Sequence, residues 1–239
     1  MLAAVLWGGL AAASLLIGYY LATREPSKWA TGLIMGIGAG ALIAAIAYEL
    51  VPESVLGGLS MALAFGLGAV AFFLGDWAVD QRGGEDRKDI AGSAESGSGA
   101  AIFVGTLLDN VPESIILGMG LALGGAINLA FLVAVFISNL PEGVAGSINL
   151  EAAGYSRNKI LRMWLLLVGV SAVCAGLGYL IIGRLPEADG RIAQAFAAGA
   201  MLTMLADAMM PEAFEHGGKM VGLFTALGFL LAAMLSVTG

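Results

Sequence analysis

Eight apolar runs, each about the length of a bilayer span, dominate this sequence and leave it few ways to fold. They cover roughly 2–22, 30–52, 55–75, 100–123, 126–150, 161–183, 191–212 and 217–238. A hydrocarbon core about 30 Å thick takes about 20 apolar residues as a helix. Inside it only helices and closed barrels satisfy every backbone N–H and C=O. Composition agrees: 59% of residues are hydrophobic and 12% charged, against about 45–50% and 25% in soluble domains. The 36 glycines suit close helix contacts in lipid. The expected fold is all-α, a polytopic membrane bundle of eight transmembrane helices forming one domain over residues 1–239. Residues 1–22 lack a basic n-region and a small-residue cleavage site, so they are expected as the first span and not as a cleaved signal.

The joints carry the charge. Residues 81–99, QRGGEDRKDIAGSAESGSG, are rich in Gly, Ser and charge. This composition predicts a flexible loop without a core of its own, between the third and fourth spans. With eight spans, Arg24, Lys28, Arg82, Arg87, Lys88, Arg157, Lys159, Arg162 and Lys219 fall on one side, and Arg184 and Arg191 on the other. The positive-inside rule then places both termini outside and the 81–99 loop in the cytoplasm, across the inner (plasma) membrane.

The chain also repeats itself. Gly40–Pro52 reads GALIAAIAYELVP and Gly199–Pro211 reads GAMLTMLADAMMP. Both start Gly-Ala, and both reach Pro-Glu at the same offset. On the topology above they run in opposite directions, as an inverted repeat does. Such repeats are common in transporters, with the substrate site near the midplane between them. Spans four and five echo each other too, as Asp109-Asn110-Val111-Pro112-Glu113 and Ser138-Asn139-Leu140-Pro141-Glu142.

Those two segments carry the candidate chemistry. Asp109 and Glu113 are four apart and share a helix face, with Asn110 flanking it; Ser138, Asn139 and Glu142 repeat the geometry. A charged carboxylate at bilayer depth costs at least about 2.5–3.5 kcal/mol. Neither span contains a Lys or Arg, so a coordinated cation is the expected compensation, with protonation as the alternative. Pro112 and Pro141 cannot donate to the carbonyls of Leu108 and Ile137, which predicts helices broken beside the carboxylates. Further acidic residues mark a candidate transport path: Glu49 and Glu53 at the outer end of span two, Asp207 within span seven and Glu212 at its inner end. Asp76 and Asp80 read as interfacial carboxylates, and His216 with Glu215 as a solvated turn.

Other chemistries are poorly served. One cysteine, Cys174, and one histidine, His216, exclude an intramolecular disulfide and any Cys- or His-cluster metal site. There is no G-x-x-x-x-G-K-[ST] loop for ATP. A metalloprotease would need His-Glu-x-x-His, so no enzyme activity is expected. A net charge of −7 offers nothing to a nucleic acid.

The paired Pro-Glu motifs resemble the ZIP (Zrt/Irt-like) family of divalent metal transporters. That family has eight spans, outside termini and a cytoplasmic loop between spans three and four. Its fourth span usually carries His-Asn-x-Pro-Glu-Gly and its fifth a related x-x-x-Pro-Glu-Gly. Leu50-Val51-Pro52-Glu53 and Met209-Met210-Pro211-Glu212 are similar to the family's other Pro-Glu sites, and the likeness covers essentially the whole chain. Asp109 and Ser138 stand where the family usually has histidine. Asn139 and Ser171 stand near the positions that help hold a second metal in many members, which argues for one metal here. The loop lacks the family's histidine run.

The resemblance and the residues together imply a divalent cation transporter working toward the cytoplasm by alternating access. Its expected metal ligands are Asp109, Asn110, Glu113, Ser138, Asn139 and Glu142. An oxygen-only set suits hard cations such as manganese, and losing imidazole weakens the preference for zinc. Carboxylates still bind zinc, so Zn, Mn, Fe or Cd are the expected substrates, with no organic cofactor. The alternative is a non-transporting membrane metal sensor or structural subunit. Gly32, Gly36 and Gly40 form a small-residue face that allows close packing within one chain or in a homodimer.

Overall fold

A computed structural model describes residues 1–51, 58–92, 94–95, 97–124, 127–185 and 187–238. The described residues are helical with no strand among them. Eight helices are long and apolar enough to cross a membrane: span 1 (Leu2–Ala22), span 2 (Lys28–Leu50), span 3 (Leu59–Lys88), span 4 (Gly99–Leu123), span 5 (Leu129–Ala152), span 6 (Arg157–Ile182), span 7 (Gly190–Gly217) and span 8 (Met220–Val237). Leucines on the outward faces, such as Leu63, Leu67, Leu166 and Leu230, are exposed, as the rim of a bundle in lipid requires. Spans 2 and 5 are the most enclosed of the eight.

Reciprocal glycine contacts sort the spans into two groups. At each of four crossings a glycine on either helix faces the other helix's backbone, leaving no room for a Cβ: Gly18 with Gly143, Gly118 with Gly178, Gly40 with Gly228, and Gly68 with Gly199. A Cβ on Gly143 would lie 2.6 Å from the Leu15 carbonyl oxygen. These crossings join spans 1 and 5, 4 and 6, 2 and 8, and 3 and 7. Gly8 of span 1 lies tight on Ala175 of span 6, and Gly32 of span 2 lies against the Gly217 backbone of span 7. Spans 1, 4, 5 and 6 thus form one tight set, and spans 2, 3, 7 and 8 another. Gly38 of span 2 meets Ser138 of span 5 across the seam between them. Gly32, Gly36 and Gly40 are all used within the chain, against spans 7 and 8.

The internal repeat has a structural counterpart. Ile46–Leu50 and Leu205–Met209 are both π-helical, at the same offset from Gly40 and Gly199. Leu42, Ala45, Ile46 and Leu50 are buried, and so are Met201, Met204, Leu205 and Met209 at the matching positions. Gly32, early in span 2, touches Gly217 at the end of span 7, so the two copies run antiparallel. The widened π turn is a local departure from α geometry of the kind found at functional positions.

Two expectations are corrected. The helical backbone runs unbroken through Pro112 and Pro141. Asn110 and Ser114 donate back to the carbonyls of Thr106 and Asn110, giving the kinked turn polar partners. The other correction concerns 81–99, which is packed and not a free loop. Span 3 does not stop near residue 75; it continues through a π turn, Asp80–Gly84, and a 3₁₀ turn, Glu85–Lys88. Gly83 turns the chain inward in the left-handed region, at φ +84°, which glycine adopts without a Cβ penalty. Arg87, Lys88, Ile90, Ala94 and Ser98 are buried as a result. Residues 85–92 form a strap across one end of the bundle, with Ala94 buried beyond it.

Candidate metal centre

Of the six expected residues, spans 4 and 5 bring Asp109, Asn110, Glu113, Asn139 and Glu142 together, while Ser138 is buried on span 5 against Gly38 of span 2. Asp109, Asn110 and Glu113 of span 4 and Ser138, Asn139 and Glu142 of span 5 are each no more than 2% exposed. Asn139 Nδ2 donates to Asn110 Oδ1 at 3.1 Å, tying the two helices at the site. Asn110 Nδ2 donates to the Thr106 carbonyl at 3.1 Å, and Ser138 Oγ to the Val135 carbonyl at 2.9 Å. Asn110 is therefore occupied at both ends of its amide. The amide oxygen left over is that of Asn139.

Sequence reasoning missed the strap's contribution. Spans 4 and 5 have no basic residue of their own, but Arg87 and Lys88 reach them from span 3's extension. Arg87 Nε donates to Asp109 Oδ2 at 3.1 Å. Its remaining nitrogens bond Asp76, Asp80 and the Gly84 carbonyl. Gly105, facing the Arg87 stem, leaves the room that a Cβ would take. Lys88 Nζ lies 3.1 Å from Asp109 Oδ2 and 2.9 Å from Glu142 Oε1, bridging the two carboxylates. A buried ion-pair network thus exists where none was expected. Asp76, expected at an interface, is a buried member of it. The clue in the sequence was charge balance: three carboxylates in two spans need cations, and Arg87-Lys88 is a basic pair only one connection away.

The network leaves charge and acceptors over. Among the described residues the buried charged side chains are Asp76, Asp109, Glu113, Glu142, Arg87 and Lys88. Counted as ionised, four carboxylates against two cations leave two negative charges, which a bound cation or protonation would remove. Asp80 completes the Arg87 shell but is 31% exposed, so water can solvate it. Asp109 Oδ1, Asn139 Oδ1 and Glu142 Oε2 have no hydrogen bond of good geometry among the described residues, and Glu113 has only the Asn139 side chain beside it. Buried polar atoms are nearly always satisfied, so a cluster of orphaned acceptors is a strong anomaly. Carboxylate and amide oxygens of this kind are the ligands of a hard or borderline divalent cation.

Comparison with known proteins gives neither a matching family model nor a matching curated protein. The geometry therefore carries the functional argument alone.

The outlying acidic residues divide. Glu49 is half-buried and accepts from Asn128 Nδ2 and Ser236 Oγ. It lines a cavity of about 510 Å³ with Gln194 and Ile116. Glu212 accepts from the Ile90 amide of the strap at 2.8 Å and lies 2.9 Å from His216 Nδ1. Asp89, Glu212 and His216 place one ligand atom each within 4.8 Å of one another, so His216 is part of a polar cluster and not a solvated turn. Asp207 is exposed on span 7, near enough to Asp76 and Asp80 to interact with both. Glu53 lies outside the described residues.

Proposed function

We propose that this protein carries divalent metal cations across a membrane, in the manner of the ZIP family, and that the cation binds between spans 4 and 5. The observation that carries this reading is the central charge deficit of two, with unsatisfied oxygens on Asp109, Asn139 and Glu142 and the Glu113 carboxylate around it. One divalent cation would neutralise that deficit and satisfy those acceptors together. Burying the same carboxylates without it costs several kcal/mol per ion.

Movement has a structural basis in the two glycine-packed groups. Within each group the glycine contacts are reciprocal, a glycine from each helix against the other's backbone, which ties those helices closely. Between them the seam passes the carboxylates, with Gly38 and Ser138 in contact across it. Sliding of one group against the other would open the site alternately to the two sides. The cavity at Glu49 would lead in from one end, and Glu212 would lead out past the strap at the other. The distribution of lysine and arginine supports a cytoplasmic strap with both termini outside. Oxygen donors suit a hard cation such as manganese best, and carboxylates also bind zinc.

A second reading is a membrane module that binds metal without moving it. The strap favours it, because Arg87 and Lys88 hold the site from one side. Flux of Mn, Zn and Cd into liposomes containing the purified protein separates the two. Saturable flux that is lost in Glu113→Gln supports transport. Metal binding without flux supports the static module. Flux and binding that survive both Glu113→Gln and Glu142→Gln remove the site.

A further inference from the structure

The two strap cations are held in different ways. Arg87 makes hydrogen bonds to Asp76, Asp80, Asp109 and the Gly84 carbonyl, a planar fork with its donors directed and used. Lys88 is equally buried but has only two partners, the Glu142 and Asp109 carboxylates at 2.9 Å and 3.1 Å. Its ammonium is a compact point charge on a flexible stem. It holds Glu142 Oε1 and Asp109 Oδ2, while the other oxygens of the same carboxylates stay without hydrogen bonds of good geometry. Lys88 thus shares its two partners with the cation position and is the weakly directed member of the network.

The strap that carries Lys88 is fastened by Arg87 just before it and by three backbone contacts after it. Asn149 of span 5 donates to the Asp89 carbonyl and accepts from the Ala94 amide at 3.2 Å. Glu212 of span 7 accepts from the Ile90 amide. One short segment therefore spans both helix groups and puts a positive charge on the carboxylates from the same end. A metal arriving at Asp109 and Glu142 would repel Lys88 and take its acceptors. Arg87, with Asp76 and Asp80 as further partners, would keep its place.

Resting on the transport reading above, we propose that Lys88 is a tethered competitor of the metal. Its ammonium holds Asp109 and Glu142, yields them when a divalent cation binds, and in leaving loosens the strap across that end of the bundle. Metal loading and release of the strap are then one event. A tethered group competes at an effective concentration set by its linker, and the apparent metal affinity falls by the fraction of sites it leaves free.

The test is metal binding to the purified full-length protein, with Mn and Cd as probes, in wild type, Lys88→Met and Glu113→Gln. Lys88→Met is expected to bind about tenfold or more tightly, the factor for a site left free about one time in ten. Equal or weaker affinity in a folded Lys88→Met overturns the competitor role, while the transport reading stands if Glu113→Gln still abolishes binding. Binding in neither wild type nor Lys88→Met overturns the transport reading itself. A second measurement leaves Lys88 intact. Ile90→Cys in a Cys174→Ala background reports strap exposure through the rate of thiol labelling. Saturating metal is expected to speed labelling several-fold, and unchanged or slower labelling overturns the coupling of metal to strap release.

Discussion

Pro-Glu occurs in three of the described spans, and the same two residues end in two kinds of place. In spans 4 and 5 the helix continues through Pro112 and Pro141, and Glu113 and Glu142 are buried at the centre of the bundle. In span 7 a π turn, Leu205–Met209, comes first, and Pro211 opens a new helical segment. Glu212 is only half-buried there and finds the Ile90 amide and His216 as partners. Span 2 carries the matching π turn at Ile46–Leu50. The motif alone therefore does not specify a metal ligand. What distinguishes the pairs is the company: Asp109, Asn110, Ser138 and Asn139 around one, a helix end and the strap around the other.

The largest expected effect sharpens that contrast. Glu113→Gln or Glu142→Gln removes a charge from the central deficit. Metal binding and liposome flux should fall by more than the about 10–100-fold that loss of an outer-shell partner costs. Glu212→Gln should change the flux only a few-fold, and equal loss at all three positions would erase the distinction between the two kinds of site.

Next in size is the anchor. Arg87→Met strands buried Asp76 and Asp109 without their common partner. Breaking a buried pair by deleting one side costs about 3–5 kcal/mol, so thermal unfolding in detergent should shift down by several degrees. An unchanged midpoint would mean that the strap is not part of the folded core.

Smaller effects separate the interior of a helix group from the seam. Gly40→Ala pushes a methyl into the Thr225 backbone within one group, and overpacking of this kind costs about 1–3 kcal/mol. Gly38→Ala places its Cβ 2.7 Å from the Ser138 Cα across the seam. Its expected signature is slower flux with a smaller loss of stability. If both glycines behave alike in flux and in unfolding, the two groups do not move as separate bodies. Smallest of all is Asp207→Asn. An exposed carboxylate with no place in the central network should leave metal affinity within about twofold, since surface substitutions mostly stay near ±0.5 kcal/mol.

Much of the molecule was legible before any coordinates. The eight spans, the repeat at Gly40 and Gly199, and the meeting of Asp109, Asn110, Glu113, Asn139 and Glu142 all follow from patterns of fixed period. Apolar length counts spans, and a spacing of three or four places residues on one helix face. These rules are local, so the linear sequence is enough. The division of the spans into two groups was not legible, because a glycine does not announce which backbone it will meet.

The strap shows the limit most clearly. Residues 81–99 have the composition of a solvated loop, and by composition alone Arg87 and Lys88 belong in water. Only the tertiary structure turns them inward, at Gly83, onto carboxylates more than twenty positions away in Asp109 and over fifty in Glu142. The physical reason is that a charge's partner is set by distance in space and by the dielectric around it, and neither is a property of neighbouring residues in the chain. The sequence by itself determined that unpaired carboxylates sit deep in an apolar bundle and need positive charge. The fold decided how much of that charge the protein supplies itself, and it supplies two cations to four carboxylates.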